Sequence, residues 1–394
     1  MNRIARLGVA ERFAPFGTTI FAEMTALARE HGAVNLSQGF PDFDGPAVAK
    51  EAAAAAMARG ENQYAPMPGI PELRSAIAAW FGASSGLDVD PDAEVTVTSG
   101  CTEALAASML GLIDPGDEVV VIEPFYDSYR ACLAMCGAVP KFVTLRLRDG
   151  RFGFDEAELR GAFGARTRAV LVNTPHNPTG TVLTRGELGL IRDLCVEHDA
   201  IAITDEVYER LTYGAEHVSL ATLDGMRERT LTLSSLGKTF SLTGWKVGWA
   251  IGPAHLTAGV RAAHQFLTFS VPTPLQHGAA AALREGEGGV RELRAHYRTM
   301  RDLLCGALER VGFGVCVPEG SYFIMAEHAM VSGRLGLKDD VELCRYLTKE
   351  VGVAAIPPSA FYSDPADGAG FVRFAFCKTE GTMRAAIERL EGMV

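Results

Sequence analysis

Thr230-Leu231-Thr232-Leu233-Ser234-Ser235-Leu236-Gly237-Lys238-Thr239-Phe240-Ser241-Leu242-Thr243-Gly244-Trp245-Lys246-Val247-Gly248-Trp249 is the stretch whose reading decides the fold. It begins as a short apolar run, breaks at Ser234-Ser235 and Gly237, and presents Lys238. Lys246 follows, and a second apolar run continues to Ile251. The pattern predicts strand, tight loop, strand. A lysine held in such a loop suits an amine that forms a Schiff base with an aldehyde cofactor. Gly237-Lys238-Thr239 imitates the end of a phosphate-binding P-loop, but Thr232 stands where that loop needs its first glycine. Ser235-Leu236-Gly237-Lys238 fits S-x-x-K of the serine acyl-enzymes, whose companion motifs S-D-N and K-T-G are absent. Alone, Lys238 reads as a solvated lysine after a strand; its neighbours along the chain change that.

Working outward, the same grammar recurs. Val95-Thr96-Val97-Thr98 leads to Ser99-Gly100-Cys101-Thr102, and Val119-Val120-Val121-Ile122 leads to Glu123-Pro124-Phe125-Tyr126. Ala169-Val170-Leu171-Val172 leads to Asn173-Thr174-Pro175-His176-Asn177, and Ile201-Ala202-Ile203-Thr204 leads to Asp205-Glu206-Val207-Tyr208. Short apolar runs that end in polar groups and alternate with helical patterns predict buried, mostly parallel strands in an α/β sheet. Ligands of such sheets bind outside the carboxyl ends of the strands, where these polar residues stand. From about residue 253 helical patterns dominate, with strand patterns at 322–325 and 372–376 and a helix at 338–350. This predicts a large domain over 46–283, its sheet sandwiched by helices. Residues 1–45 and 284–394 are expected to form an N-terminal arm and a smaller α+β domain. Glu285-Gly286-Glu287-Gly288-Gly289 reads as a hinge or surface loop between them.

The 394 residues are 48% hydrophobic and 22% charged, as expected of a globular chain with a substantial core. A net charge of -11 argues against a nucleic-acid surface and against anionic membranes. Eight scattered cysteines, without C-x-x-C or zinc-type spacing, read as reduced thiols of a cytoplasmic protein, and no metal is expected. Met1-Asn2-Arg3-Ile4-Ala5-Arg6 lacks the apolar core of a signal peptide. No run approaches the ~18 apolar residues of a membrane span.

Each candidate site residue has a plainer alternative. Ser99 to Thr102 joins strand to helix, and its backbone N–H groups suit a phosphate, aided by Ser235 and Lys246; the alternative is a turn with Thr102 as N-cap. Asp205 suits a cationic ring nitrogen, which would make the ring an electron sink; the alternative is a helix cap. Tyr208 and Asn177 suit a phenolic ring oxygen, or else core and turn roles. Tyr126 suits stacking on a ring, with Phe125 as the competing choice. Arg373, inside an apolar run, suits a substrate carboxylate, or else an internal salt bridge. His176 reads as a loop residue and not a base.

Gln38-Gly39-Phe40-Pro41-Asp42-Phe43, Asn62-Gln63-Tyr64, Asn177-Pro178-Thr179-Gly180 and the stretch from Ser235 to Gly248 together resemble the class I/II, fold-type I aminotransferases that use pyridoxal 5'-phosphate. Within them the chain is similar to the kynurenine, glutamine transaminase K and methionine aminotransferase group. The resemblance implies that Lys238 is the Schiff-base lysine and proton carrier, that Asp205 pairs with the pyridine nitrogen, and that Tyr208 and Asn177 contact the ring oxygen. It implies that Tyr126 stacks on the ring and that Cys101, Thr102, Ser235 and Lys246 hold the phosphate. Tyr64 would reach that phosphate from the other subunit of a homodimer. Gly39, Asn177 and Arg373 would hold the substrate carboxylate. Many relatives carry arginine where Lys246 stands, so the phosphate contact here loses a bidentate fork.

The expected reaction moves the α-amino group of an aromatic, methionine, glutamine or kynurenine-type L-amino acid to a 2-oxo acid by a ping-pong mechanism. The competing reaction on the same residues is carbon–sulfur β-lysis of a cysteine conjugate. A regulator that binds the cofactor without turnover is disfavoured, since no basic helix-turn-helix precedes residue 34. Phe16, Phe40 and Tyr64 hint at an apolar or aromatic substrate side chain.

Overall fold

In a computed structural model, residues 8–393 of the chain are described; the Met1–Arg6 reading lies outside them. Seven strands form the central sheet: β1 Val95–Thr98, β2 Glu118–Glu123, β3 Val139–Thr144, β4 Thr167–Asn173, β5 Ile201–Asp205, β6 Thr230–Ser235 and β7 Gly248–Ile251. Their order is β1-β7-β6-β5-β4-β2-β3. The pairs β6–β5, β5–β4, β4–β2 and β2–β3 are parallel, while β7 runs antiparallel to both β1 and β6.

The apolar runs are continuous because both faces are covered. Val119, Val121, Ala169, Leu171, Ile201, Ile203, Leu231 and Leu233 pack with the helices Gly100–Leu112, Ser128–Cys136 and Ala254–Leu267. The intervening Val120, Ile122, Val170, Val172 and Ala202 pack with Leu188, Ile191 and Leu194 of the helix Arg185–Glu197. Alternate residues of one strand therefore serve two cores.

The antiparallel β7 matters for the site. Its first residue, Gly248, is in register with Thr98 of β1 and Ser235 of β6. Its start thus lies at the carboxyl edge of its neighbours, which carries Lys246 to the same edge as Asp205 and Ser235.

A further apolar core joins Met24 and Leu36, together with Val207, Tyr208, Leu211 and Tyr213, to residues between Tyr297 and Leu390. It contains the antiparallel sheet β8 Gly314–Cys316, β9 Phe323–Glu327 and β10 Phe371–Ala375. The glycine-dense segment is not a loop. The helix Thr273–Glu285 is followed, after Gly286 alone, by the helix Glu287–Val311. Gly286 has right-handed helical angles and its N–H bonds Ala282, so two further glycines are absorbed into the second helix. The predicted helix over 338–350 is Asp340–Tyr346 continued by a π-helical Leu347–Val351. Among the described residues no helix is long and apolar enough to cross a membrane.

Candidate active site

Three neighbouring strands end in polar residues at one place. Asn173 and Asp205 are register partners, and Ser235 closes β6. Lys238 comes next, but on a helical turn, Leu236–Thr239, rather than the expected loop. Phe240 N–H bonds Leu236 O at 3.1 Å, and Leu236 N–H is held by Val247 O at 3.0 Å. Those bonds give the lysine a more rigid seat than a loop would.

A cavity of about 140 Å3 opens above these ends. It is lined by Cys101, Thr102, Tyr126, Asn177, Asp205, Tyr208, Ser235, Lys238 and Lys246, so nine of the candidate residues meet there. Asp205 is 7% exposed. It caps no helix: its carboxylate accepts from Tyr129 OH at 2.7 Å and from the Val207 N–H at 3.4 Å, and the Cys101 thiol stands 3.6 Å away. Burial raises its pKa against those donors, and among the described residues it has no cation at ion-pair distance. Lys238 Nζ donates to Gly39 O at 3.3 Å and lies 5.9 Å from the Tyr208 ring. Burial holds its pKa below the usual lysine value, with Cys377 and Asp205 pulling the other way. Burial also lifts the Tyr208 phenol above its usual range.

Tyr126 and Phe125 point to different surroundings. Tyr126 lines the cavity, edge-on to Tyr129 at 5.9 Å, whereas Phe125 is 2% exposed and packs on Phe142.

One end of the cavity is made for an anion. The helix Gly100–Leu112 has Ser99 as its N-cap, without a side-chain cap bond; Thr102 lies inside the helix and is not the cap. The Cys101 and Thr102 N–H groups, in its first turn, lack an intrahelical acceptor. Gly100 has φ +75°, and a Cβ there would come within 3.2 Å of Lys246 Nζ. A backbone cradle beside an exposed ammonium results, with Ser235 closing one side.

A second cavity, of about 360 Å3, shares Tyr126, Asn177, Tyr208, Lys238 and Thr243 with the first. Gly39, Phe21, Phe40, Phe323, Asp127 and Arg373 line it too. Arg373 is 2% exposed. It donates to Asn177 Oδ1 at 3.1 Å and Ser37 O at 2.8 Å, and its guanidinium lies 4.1 Å from the Phe323 ring centre. Its Nε has no partner, and the internal salt bridge is not present: no carboxylate of the described residues lies at ion-pair distance. Burial pushes its pKa down to about 10, so it stays charged at neutral pH.

Tyr64 and Phe16 line neither cavity. Tyr64 is 85% exposed and stands edge-on to Phe269 at 5.4 Å. His176 is buried, held to Thr179 Oγ1 at 2.8 Å, and is no base: burial depresses its pKa to about 3. Sequence reasoning missed Tyr129, which grips Asp205, and Asn173, whose amide donates to Asp205 O at 2.8 Å. Tyr129 lies in the first turn of the helix Ser128–Cys136, three residues after Tyr126, and that closeness to a candidate residue was the available signal for the first. Among the described residues no cluster suited to a metal ion occurs.

Comparisons with known proteins agree in kind. The family described as aminotransferase class I and II matches residues 31–390. The chain is 50% identical over 390 residues to the probable N-succinyldiaminopimelate aminotransferase DapC of Mycobacterium tuberculosis, covering 96% of this chain and 97% of that one. A solved structure of N-succinyldiaminopimelate aminotransferase from that organism matches with TM-score 0.94 and 48% identity, over 98% of this chain and 100% of the other. Methionine aminotransferase of Escherichia coli is 43% identical over 375 residues, 95% of each chain. Human kynurenine–oxoglutarate transaminase 1 is 39% identical over 399 residues, 94% of each.

Proposed function

The chain belongs to the class I and II aminotransferases, enzymes dependent on pyridoxal 5'-phosphate, and from that premise we propose that its amino donor is an L-amino acid with a neutral apolar, aromatic or amide side chain, the acceptor being a 2-oxo acid. The observation that carries this is the wall around Arg373. Phe21, Phe40, Phe323 and Tyr126 line it, and among its described residues Arg373 is the one arginine while Asp127 is an acid. A methionine, phenylalanine, glutamine or kynurenine side chain meets such a wall without an unpaired charge.

The residues fit the cofactor. A buried carboxylate without a cation, Asp205, suits a protonated ring nitrogen, and the Gly100–Lys246 cradle suits its phosphate. Bound there, the cofactor supplies an electron sink at the substrate α-carbon. Cys101, Thr102, Ser235 and Lys246 would hold its phosphate, Tyr126 would flank its ring, and Tyr208 and Asn177 would meet its ring oxygen. Arg373, Asn177 and Gly39 orient the α-carboxylate. Lys238 takes the α-proton and returns it; its depressed pKa enlarges the free-base fraction that can do so. One site serves both substrates in turn, which gives ping-pong kinetics. Lys238→Ala should lower half-transamination by roughly 10⁴-fold or more, the scale of a lost proton carrier and covalent anchor; sustained turnover by that variant overturns the assignment.

Several coarser features belong to the same reading. Exposed Tyr64 supports a homodimer in which it reaches the partner's phosphate site. Eight free cysteines support a cytoplasmic location. The apolar core around β8–β10, which draws Met24 and Leu36 together with residues after Tyr297, supports a division into 46–283 and 1–45 with 284–394, with Val207 to Tyr213 packing across that division. The β-lyase alternative finds no support among the relatives.

A second donor reading, N-succinyldiaminopimelate, is favoured by the 50% identity to a relative of that name. Its remote carboxylates would need further cations in the wall. Absorption changes of the holoenzyme on adding methionine, phenylalanine, kynurenine or N-succinyldiaminopimelate, each without an oxo acid, decide between them. The neutral donors are expected to convert the cofactor fastest. Conversion by N-succinyldiaminopimelate alone overturns the choice.

A further inference from the structure

The segment Gln38–Phe43 runs along the cleft with three successive carbonyls in use. Lys378 Nζ donates to Phe40 O at 2.7 Å and Gln38 O at 3.5 Å. Between them, Gly39 O receives two donors, Tyr322 OH at 2.5 Å and Lys238 Nζ at 3.3 Å. We propose that Tyr322 is a positioning residue for proton transfer, its hydroxyl fixing the Gly39 carbonyl that receives the free Lys238 amine. The inference rests on Lys238 being the proton carrier.

Tyr322 is built to hold one position. Its side chain is fully buried, with Phe323, Tyr208 and Tyr297 edge-on at 4.8, 5.1 and 5.9 Å. Its backbone follows Ser321 at φ +58°, and Tyr213 OH secures the Ser321 carbonyl at 2.6 Å. The Gly39 strand of chain lies directly on this platform: a Cβ at Gly39 would come 2.6 Å from Phe323 and 3.1 Å from Tyr322. The neighbouring Tyr297 is the contrast. It is equally buried, yet among the described residues its hydroxyl makes no hydrogen bond of good geometry, with Ser241 the nearest candidate. Burial alone therefore does not account for the Tyr322 bond.

The chemistry follows from sharing one acceptor. A neutral amine that gives one N–H to Gly39 O keeps its lone pair free to take a proton. A carbonyl already occupied by an O–H is a weaker acceptor for an ammonium. Tyr322 thus orients the amine and opposes its protonation. The groups facing Lys238 are Cys377, Asp205, Arg373 and Lys246, with the Tyr208 and Tyr322 rings beside them; none of these charges changes when the Tyr322 hydroxyl is removed.

Tyr322→Phe in the holoenzyme should lower kcat by about 10- to 100-fold with the donor KM within about twofold. The acid limb of the half-reaction should move up by roughly half to one pH unit. In the cofactor-stripped full chain, the pH midpoint for labelling Lys238 with an amine-reactive reagent, read by peptide mass spectrometry, should rise with it. Tyr297→Phe should leave all three readouts in place. Unchanged kcat and pH limb in Tyr322→Phe overturn the proposal, as does Tyr297→Phe behaving identically. If Tyr322→Phe does not fold, 3-fluorotyrosine at 322 keeps the ring and strengthens donation, so the limb should move down; a fixed limb overturns the proposal. Either negative leaves the Lys238→Ala result, and with it the transaminase reading, standing.

Discussion

Lys246 and Arg373 are the cations of two contiguous cavities, and they differ in nearly every physical respect. Lys246 is exposed, sits in a left-handed turn at φ +53°, and works beside a helix N-terminus whose backbone supplies most of the donors. Arg373 is 2% exposed, and among the described residues its Nε is unpaired and no acid neutralises it. The first arrangement spreads anion binding over backbone and point charge. The second concentrates it in one desolvated fork. A cofactor that stays bound tolerates shared contacts, whereas a substrate carboxylate that comes and goes gains most from a preorganised, water-poor partner.

The largest effect should therefore fall on Arg373. Arg373→Leu removes the buried charge and leaves the incoming carboxylate unpaired, which costs about 3–5 kcal/mol and lowers kcat/KM roughly 10²- to 10⁴-fold. The substrate-free protein should lose less than that in stability, because the deleted guanidinium pairs with no carboxylate among the described residues and gives up only its bonds to Asn177 and Ser37 O and its ring contacts. A fall in Tm matching the loss of activity would show Arg373 to be a structural strut, and the contrast between the two cations would collapse.

Lys246→Ala should do less. The helix amides and Ser235 remain, so only one charge-assisted contact is lost, worth about 2 kcal/mol. Cofactor dissociation constants from absorbance titration should rise by roughly 30-fold, while kcat at saturating cofactor stays close to that of the parent. Lys246→Arg should bind at least as tightly. A Lys246→Ala protein that loses turnover at saturating cofactor would place this lysine in the chemistry and erase the distinction.

What the sequence discloses about these two ends is unequal for a physical reason. Strand ends are local: an apolar run that stops at Asn173, Asp205 or Ser235 names its own edge, and parallel pairing then brings the three together. The sheet and the gathering of polar groups at its carboxyl edge were legible on that basis. Arg373 was also legible, because a charge inside Phe371–Phe376 breaks the pattern. Contacts made across long separations left no such mark. Tyr129 reaches Asp205 from 76 residues away, and Tyr322 reaches Gly39 from 283. Local rules erred where tertiary bonds override propensity. Lys238 sits on a helical turn because Val247 holds Leu236, and the glycines after Gly286 became helix.

The smallest effect concerns what underlies the Arg373 end. Asn177, the guanidinium's side-chain partner, belongs to the turn Asn173–Thr181, where His176 N–H bonds Thr181 O at 2.8 Å and Asn177 N–H bonds Asn173 Oδ1 at 2.7 Å. His176 is neutral there, its pKa depressed from 6.5 to about 3 by burial. Above pH 6.5 both folded and unfolded chains leave it neutral, so its contribution to stability is complete. As the pH falls below 6.5 the unfolded chain binds a proton that the fold refuses, and stability drops by up to about 1.4 kcal/mol per pH unit from this group until the folded value is reached. His176→Gln cannot titrate, so the difference in Tm between parent and variant should change with pH below 6.5 and be constant above it. Arg373, at about 10, keeps its charge across that window. Acid should then weaken the carboxylate end through its supporting turn, raising the donor KM before cofactor affinity changes. Equal acid slopes for parent and His176→Gln would mean that the turn opens to water, and that the two ends are less different than their burial implies.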